Sequence, residues 1–220
     1  MKLMLVAMVS TLTASAGLAQ SAPSAIPLPA PRKSGAMSLE AALWARQSVR
    51  TLAHDSVALA DAGQLLWAAQ GVNRPNGHRT APSARAVYPL ELYLVASRVS
   101  GLPAGVYHYG VAAHALEPVA TGDRLRDLVD AAVHQAWVAD AAGVIVFAAS
   151  VERSQRFGAT ADRFVPMDVG FAAQNVYLQA AALGLGTTFA GSVQDTAAAR
   201  VLGLGSDARP LGIMPFGRPR

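Results

Sequence analysis

The 220-residue chain contains no cysteine. That absence removes disulfides, thiolate metal ligands and cysteine nucleophiles from consideration. Charge is sparse, with 15% of residues being Asp, Glu, Lys or Arg. The net charge of +4 comes from cations scattered singly through the chain, without a basic run or aromatic–basic interleaving. Such a pattern suits a solvated surface or a site for an anionic cofactor, and it argues against nucleic acid as a partner. The histidines, His54, His78, His108, His114 and His134, show no metal-ligand spacing, so no metal is expected. A Gly-x-Ser-x-Gly elbow is missing, which leaves a serine hydrolase unsupported. So is a Gly-x-Gly-x-x-Gly turn after a strand, and a Rossmann nicotinamide site is not indicated. Beyond the N-terminus no apolar run approaches the roughly 20 residues of a membrane span. What the chain does have is apolar content, 52% of its residues, enough for one domain with a real core.

The first residues read as an address and not as fold. MKLMLVAMVSTLTASAGLAQ places a cation at Lys2, an apolar run from Leu3 to Leu12, and small residues ending at Ala19. That is the layout of a secretory signal, residues 1–19, and implies an exported, periplasmic protein. Ser10, Thr11, Thr13 and Ser15 interrupt the run and weigh against an anchor. Residues 20–37, rich in proline, serine and alanine, read as an extended linker. The domain is expected over 38–220.

Ser38 is a good N-cap for a helix running through LEAALWARQSVR. A second helix, ALADAGQLLWAAQ, should stop at Gly71. After a polar loop come LELYLVAS, GVYHYG and HALEPV, which read as an antiparallel meander. A helix is expected from about Gly122 to Ala141, then the apolar strand GVIVFAAS. The long helix PMDVGFAAQNVYLQAAALGLG is apolar over most of its circumference, the mark of burial on several sides. TTFAG and PLGIMPFG read as closing strands around the short helix DTAAARVLGL. The order implies a mixed α+β domain, its sheet mostly antiparallel and flanked by helices.

Three short constellations can carry chemistry. Arg46-Gln47-Ser48-Val49-Arg50 offers two guanidinium groups and a hydroxyl, suited to a phosphate monoester, or equally to complementing the dipole at a helix end. In Arg79-Thr80-Ala81-Pro82-Ser83-Ala84-Arg85-Ala86-Val87-Tyr88-Pro89, the small side chains at 81, 83, 84 and 86 would let a flat ring approach the backbone; an ordinary polar turn before a strand is the alternative. Gly184-Leu185-Gly186-Thr187-Thr188-Phe189-Ala190-Gly191 either admits a planar ligand or marks a helix end and a tight connection.

Taken in order, WARQSVR, APSARAVYPLELYLV, GVYHY, RFGATADRFVPMDVGFAAQNVYLQAAALGLGTTFAG and PLGIMPFGRP resemble the nitroreductase superfamily over about Ser38 to Arg218. Within it the chain is most similar to the thiazoline/oxazoline dehydrogenase branch. The resemblance implies a nitroreductase-like fold completed as a homodimer, with flavin mononucleotide (FMN) at the subunit interface. It implies that Arg46, Gln47, Ser48 and Arg50 hold the phosphate and ribityl groups, with Arg218 as a weaker candidate. Pro82, Ser83, Ala84 and Arg85 would lie along the ring system from the partner subunit, and Thr188, Ala190 and Gly191 would approach it from the first.

The sequence also departs from the family. Met167-Asp168-Val169-Gly170-Phe171 stands where relatives often have Met-Glu-x-Gly-His. Phe157 and Phe164 stand where tyrosines are common, and Ala190 where classical nitroreductases carry a glutamate. These changes suggest a more apolar pocket. The implied activity is an FMN-dependent oxidoreductase, taking electrons from a small-molecule donor and passing them to a small apolar acceptor such as a quinone or nitroaromatic. A dehydrogenase of a small heterocycle and a non-catalytic flavin-binding scaffold remain alternatives. Since the cofactor carries the redox step, no catalytic side chain is named. Arg85 is the residue placed to stabilise a reduced, anionic flavin.

Overall fold

A computed structural model of the chain describes residues 24–130 and 134–220. The expected signal, 1–19, lies outside the described residues. In chain order the strands are β1 (Ile26–Pro27), β2 (Val57–Ala58), β3 (Leu90–Ala96), β4 (Val99–Ser100), β5 (Gly105–Gly110), β6 (Ala115–Thr121), β7 (Gly143–Ser150), β8 (Gly186–Thr187) and β9 (Ala208–Gly217). The helices are α1 (Leu39–Ala45), α2 (Leu59–Gln70), α3 (Leu125–Leu128), α4 (Val151–Gln155), α5 (Ala161–Ala182) and α6 (Asp195–Leu202). Seven strands form one sheet in the order β1-β6-β5-β3-β7-β9-β8, every pairing antiparallel. Strands β2 and β4 form a separate parallel pair. This is the mixed α+β class that the order of elements implied.

Alternation along the strands sends side chains to two faces. Leu92, Leu94, Tyr107, Tyr109, Ile145 and Phe147 pack under α2 and α5. Tyr93, Val95, Val106, Val144 and Val146 face α3 and α6. Helix α5 lies over the sheet with Val169, Ala172, Ala173, Val176 and Ala180 buried. It begins earlier than its sequence pattern suggested, and Pro166 sits inside it, exposed, where the carbonyl it cannot satisfy can turn to solvent.

Three sequence expectations change. Among the described residues, the helix expected over 122–141 is α3, running on into a π turn at 129–130, with a separate 3-10 turn at Ala136–Asp140. His134 takes φ +55 and its N–H closes back on the Val129 carbonyl at 2.7 Å, which is incompatible with a continuing helix. Helix α1 ends at Ala45, before Gln47 to Arg50, because the backbone of Val49 pairs with Thr187 at 3.0 Å. The strand expected at TTFAG is only the two residues of β8 plus a single bridge from Ala190 to Ile213.

The segment read as a linker is extended and docked in its described part. Ile26 and Pro27 pair with Leu116 and Ala115, and Leu28 is buried. The Arg32 N–H donates to Gln64 Oε1 at 2.8 Å, and its guanidinium pairs with Asp61 at 2.7 Å. Gly71 does end α2, but in extended backbone (φ −63, ψ 150). Glycine is required there because a Cβ would stand 2.0 Å from Trp67 Cδ1.

Candidate functional site

The chain leaving α1 runs between β8 and the C-terminus. Val49 N–H donates to the Thr187 carbonyl, Leu52 bridges Pro219, and Ala53 N–H donates to the Arg218 carbonyl at 2.8 Å. Arg46, Gln47, Ser48, Arg50, Thr188 and Arg218 therefore lie on three adjoining segments. The close approach needs Gly186, where a Cβ would meet Val49 Cγ1 at 2.6 Å. Gly184, with φ +66, serves the end of α5. The two glycines are thus used by the chain itself.

Tyr177, on α5, joins these segments, and sequence reasoning had missed it. Its hydroxyl accepts the Phe189 N–H at 2.7 Å and lies 3.3 Å from Ser48 Oγ. The Arg46 guanidinium lies over its ring, 5.3 Å from the centroid, while Arg50 lies 6.0 Å from the Trp137 centroid. Among the described residues no carboxylate pairs with Arg46, Arg50 or Arg218. The only available sequence signal was that Tyr177 is the one hydroxyl-bearing aromatic in α5. A cleft of about 160 Å³ borders Arg46, Gln47, Tyr177 and Thr187.

The post-β8 residues differ in what they can offer. Thr188 is buried and its hydroxyl donates to the Val49 carbonyl at 3.0 Å. Ala190 is buried, with both its N–H and its carbonyl paired to Ile213 at 2.9 Å. Gly191 is exposed.

Pro82, Ser83, Ala84 and Arg85 form a tight turn elsewhere. Ala86 N–H donates to the Ser83 carbonyl, and Ser83 Oγ accepts the Tyr88 N–H at 2.9 Å. Arg85, Ala86 and Tyr88 take φ of +54, +52 and +48. Left-handed backbone costs about 1–2 kcal/mol for each residue bearing a Cβ, so this turn is held against strain. Arg85 donates to the Arg156 carbonyl at 3.0 Å and stacks 5.5 Å from the Phe157 centroid.

The stretch leading into the turn packs on the second half of α5. Asn175 Nδ2 donates to the Thr80 carbonyl at 3.3 Å, just ahead of the turn. Tyr177 follows Asn175 by two residues, roughly 200° around the helix. One protomer thus places the arginine segment and the Pro82–Arg85 turn on opposite sides of α5. A larger hollow, about 560 Å³, lies on the Asn175 side, between α5, α1 and Arg32 to Leu39. It stands apart from the arginine segment.

The aromatic departures resolve differently from the expectation of an apolar pocket. Phe157 is buried with Val87, Ala149 and Val165, and Phe164 packs on it at 5.4 Å between centroids. Both therefore fill core. Only Phe171 faces outward, with 48% exposure. A charged network occupies the other face of the sheet: His108 bridges Glu91 at 2.8 Å and Glu117 at 2.9 Å, and Arg153 pairs with Glu91. The bond to Glu91 carries His108 above its usual value against burial, with Glu117 adding to the rise.

The fold and these segments define a flavin-oxidoreductase type of domain, and the chain belongs to the nitroreductase family, whose model matches residues 43–218. It is 39% identical over 181 residues to a protein of Methanocaldococcus jannaschii provisionally named a nitroreductase, covering 82% of this chain and 90% of that one. A crystal structure from Ralstonia eutropha, also provisionally a nitroreductase, matches with a TM-score of 0.79 and 33% identity, covering 89% of this chain and 90% of that chain. The fold is shared with the NADPH:FMN oxidoreductase of Vibrio harveyi, at a TM-score of 0.60 and 18% identity over 82% of this chain and 68% of that chain. It is shared too with the microcin synthetase complex of E. coli, at 0.69 and 22% over 96% and 85%. The chain is an oxidoreductase of this family.

Proposed function

We propose that the protein binds FMN between two copies of itself and passes electrons from a small-molecule donor to a small apolar acceptor. The carrying observation is a set of arginines, Arg46, Arg50 and Arg218, that have no carboxylate partner among the described residues and stand on adjoining segments, two of which Tyr177 pins. Uncompensated guanidinium groups beside the Ser48 hydroxyl suit a phosphate monoester. When bound, FMN supplies the redox chemistry. The chain's own part is to bind, orient and exclude water. Ser48 and the arginines would take the phosphate and ribityl end, and Gly191 would leave room for the ring.

The position of the Pro82–Arg85 turn supports a second copy. The Pro82–Arg85 turn lies across α5 from the arginines, so a ligand touching both sets draws the turn from a partner. An apolar surface is available for that partner: Trp44 is 93% exposed, with Leu39 and Leu43 beside it on α1, and Met167 and Phe171 are exposed on α5. Large apolar side chains so presented mark an interaction surface. Among the described residues no helix is long and apolar enough to cross a membrane. The Lys2-to-Ala19 pattern supports export to the periplasm.

The test is the visible spectrum of the purified protein with and without added FMN. Flavin bands near roughly 370 and 450 nm are expected; their absence after FMN addition would sink the reading. Turnover of quinones or nitroaromatics with nicotinamide donors, against oxidation of azolines, assigns the direction of electron flow.

A further inference from the structure

We propose that Arg79 is a positioning residue whose guanidinium clasps Tyr88 and so holds the strained turn over residues 82–88 in the shape it presents to the flavin ring. The inference rests on the flavin reading for its consequence, and on the chain alone for its geometry. Arg85, Ala86 and Tyr88 all take left-handed backbone, so the turn needs anchors outside itself. Tyr88 is the last of the three and the point where the turn hands the chain to β3.

Arg79 is itself fixed from behind. Its backbone bridges Val72, and the Thr80 N–H donates to the Gly71 carbonyl at 2.9 Å, which ties the segment to the end of α2. From that base the Arg79 N–H donates to Tyr88 Oη at 3.4 Å, and the guanidinium lies over the Tyr88 ring, 4.8 Å from its centroid. Its Nη1 donates to Gln70 Oε1 at 2.9 Å and reaches the Leu90 carbonyl at 3.5 Å. One planar group thus spans the last residue of α2, the end of the turn and the first residue of β3. A lysine there would keep the charge and lose both the stacking and the fork of donors.

The charge is not spent on an ion pair. Among the described residues no carboxylate pairs with Arg79, and Glu91, the carboxylate whose field it feels, is taken by Arg153 and His108. Burial, and after it the Arg153 guanidinium, pulls Arg79 below its ordinary value, so the site disfavours the cation it holds. Stacking on Tyr88 and the bond to Gln70, itself 1% exposed, offset that cost. The other outside hold by an arginine, Arg85 on the Arg156 carbonyl, is exposed, and water competes for it.

Arg79→Gln, Arg79→Lys and Tyr88→Leu test this in the full chain. The amides of Ala86, Val87 and Tyr88 report the turn, since each is bonded within it. In the protein without added flavin their hydrogen exchange should quicken roughly five- to thirtyfold in Arg79→Gln, the loss of one stacked cation and one hydrogen bond. Arg79→Lys should quicken it too, because charge alone is not the hold. Amides of β7 should change less, which separates a hold on the turn from a fold-wide loss of stability. The double variant Arg79→Gln with Tyr88→Leu should add little to Tyr88→Leu alone, as expected of residues that act through one contact. FMN affinity, read by quenching of flavin fluorescence at a temperature where each variant is folded, should fall roughly threefold or more in Arg79→Gln, because the held turn is the form that meets the ring. If Arg79→Gln fails to fold, Arg79→Lys and Tyr88→Leu read the same amides and the same affinity. Unchanged exchange at 86–88, or equal quickening in β7, overturns the inference. Quickened exchange with unchanged FMN affinity overturns the positioning role. A wild type that never binds FMN overturns the flavin reading, and the exchange experiment then decides the clasp alone.

Discussion

Replacing Tyr177 with phenylalanine removes one oxygen atom from the point where three segments meet. The ring stays, so the platform under Arg46 and the packing of α5 are preserved. What is lost is the acceptor for the Phe189 N–H at 2.7 Å and the longer contact to Ser48 at 3.3 Å. An N–H left without a partner costs about 1–3 kcal/mol. Tyr177 is half-buried, so water can partly replace its hydroxyl, and the lower part of that range, roughly 1–1.5 kcal/mol, applies. For a domain of this size the melting temperature should fall by about 2–6 °C. The freed Phe189 adjoins Thr188, Ala190 and Gly191, so FMN affinity should fall by up to roughly tenfold, the equivalent of about 1.4 kcal/mol. Thermal melts of the protein without added flavin and a flavin titration read the two effects separately. A variant matching the wild type in both would refute the assignment of Tyr177 as the pin of the site. A lower melting temperature with unchanged affinity would show that the pin serves the fold alone.

Trp44→Glu should convert the proposed dimer to a monomer in light scattering after gel filtration; losing an aromatic anchor at an interface costs about 2 kcal/mol or more, and a variant that still dimerises at low micromolar concentration would move the interface elsewhere. Gly186→Ala should both destabilise the protein by about 1–3 kcal/mol and weaken FMN binding, since its Cβ would stand 2.6 Å from Val49 Cγ1 in the arginine segment; normal melting and normal binding together would contradict the packing. His108, whose folded pKa is raised, contributes stability present in full below its ordinary value of 6.5 and lost as pH rises through the higher folded value. The melting temperature of His108→Gln should lack that alkaline decline, measured against the wild type from pH 5 to 10; parallel curves would remove the ion cluster from the account.

How much of this was legible in the sequence depends on the range of the interaction. Strands β3, β5, β7 and β9 were readable because alternation and turn residues are local properties of Leu90–Ala96, Gly105–Gly110, Gly143–Ser150 and Ala208–Gly217. The end of α1 was not, because the chain leaves the helix after Arg46 to let the Val49 N–H bond the Thr187 carbonyl, far along the chain. The break near His134 was not either, since a histidine with left-handed backbone carries no composition signal. For the site, the arginine segment and the Pro82–Arg85 turn stand out as short runs of distinctive chemistry, whereas Arg218 is named only through the family resemblance. The spatial relation of these pieces was not legible. It depends on Asn175 and Tyr177 emerging from opposite sides of α5, a difference in helical phase that acquires meaning only when the partners of both residues are known. The same dependence explains the phenylalanines: Phe157 and Phe171 are one residue type within a single stretch of sequence, yet Phe157 closes a core while Phe171 lies open. Residue type names the chemistry a position can offer. Which side of α5 receives it decides whether it meets the sheet, the chain's own loop or a second copy.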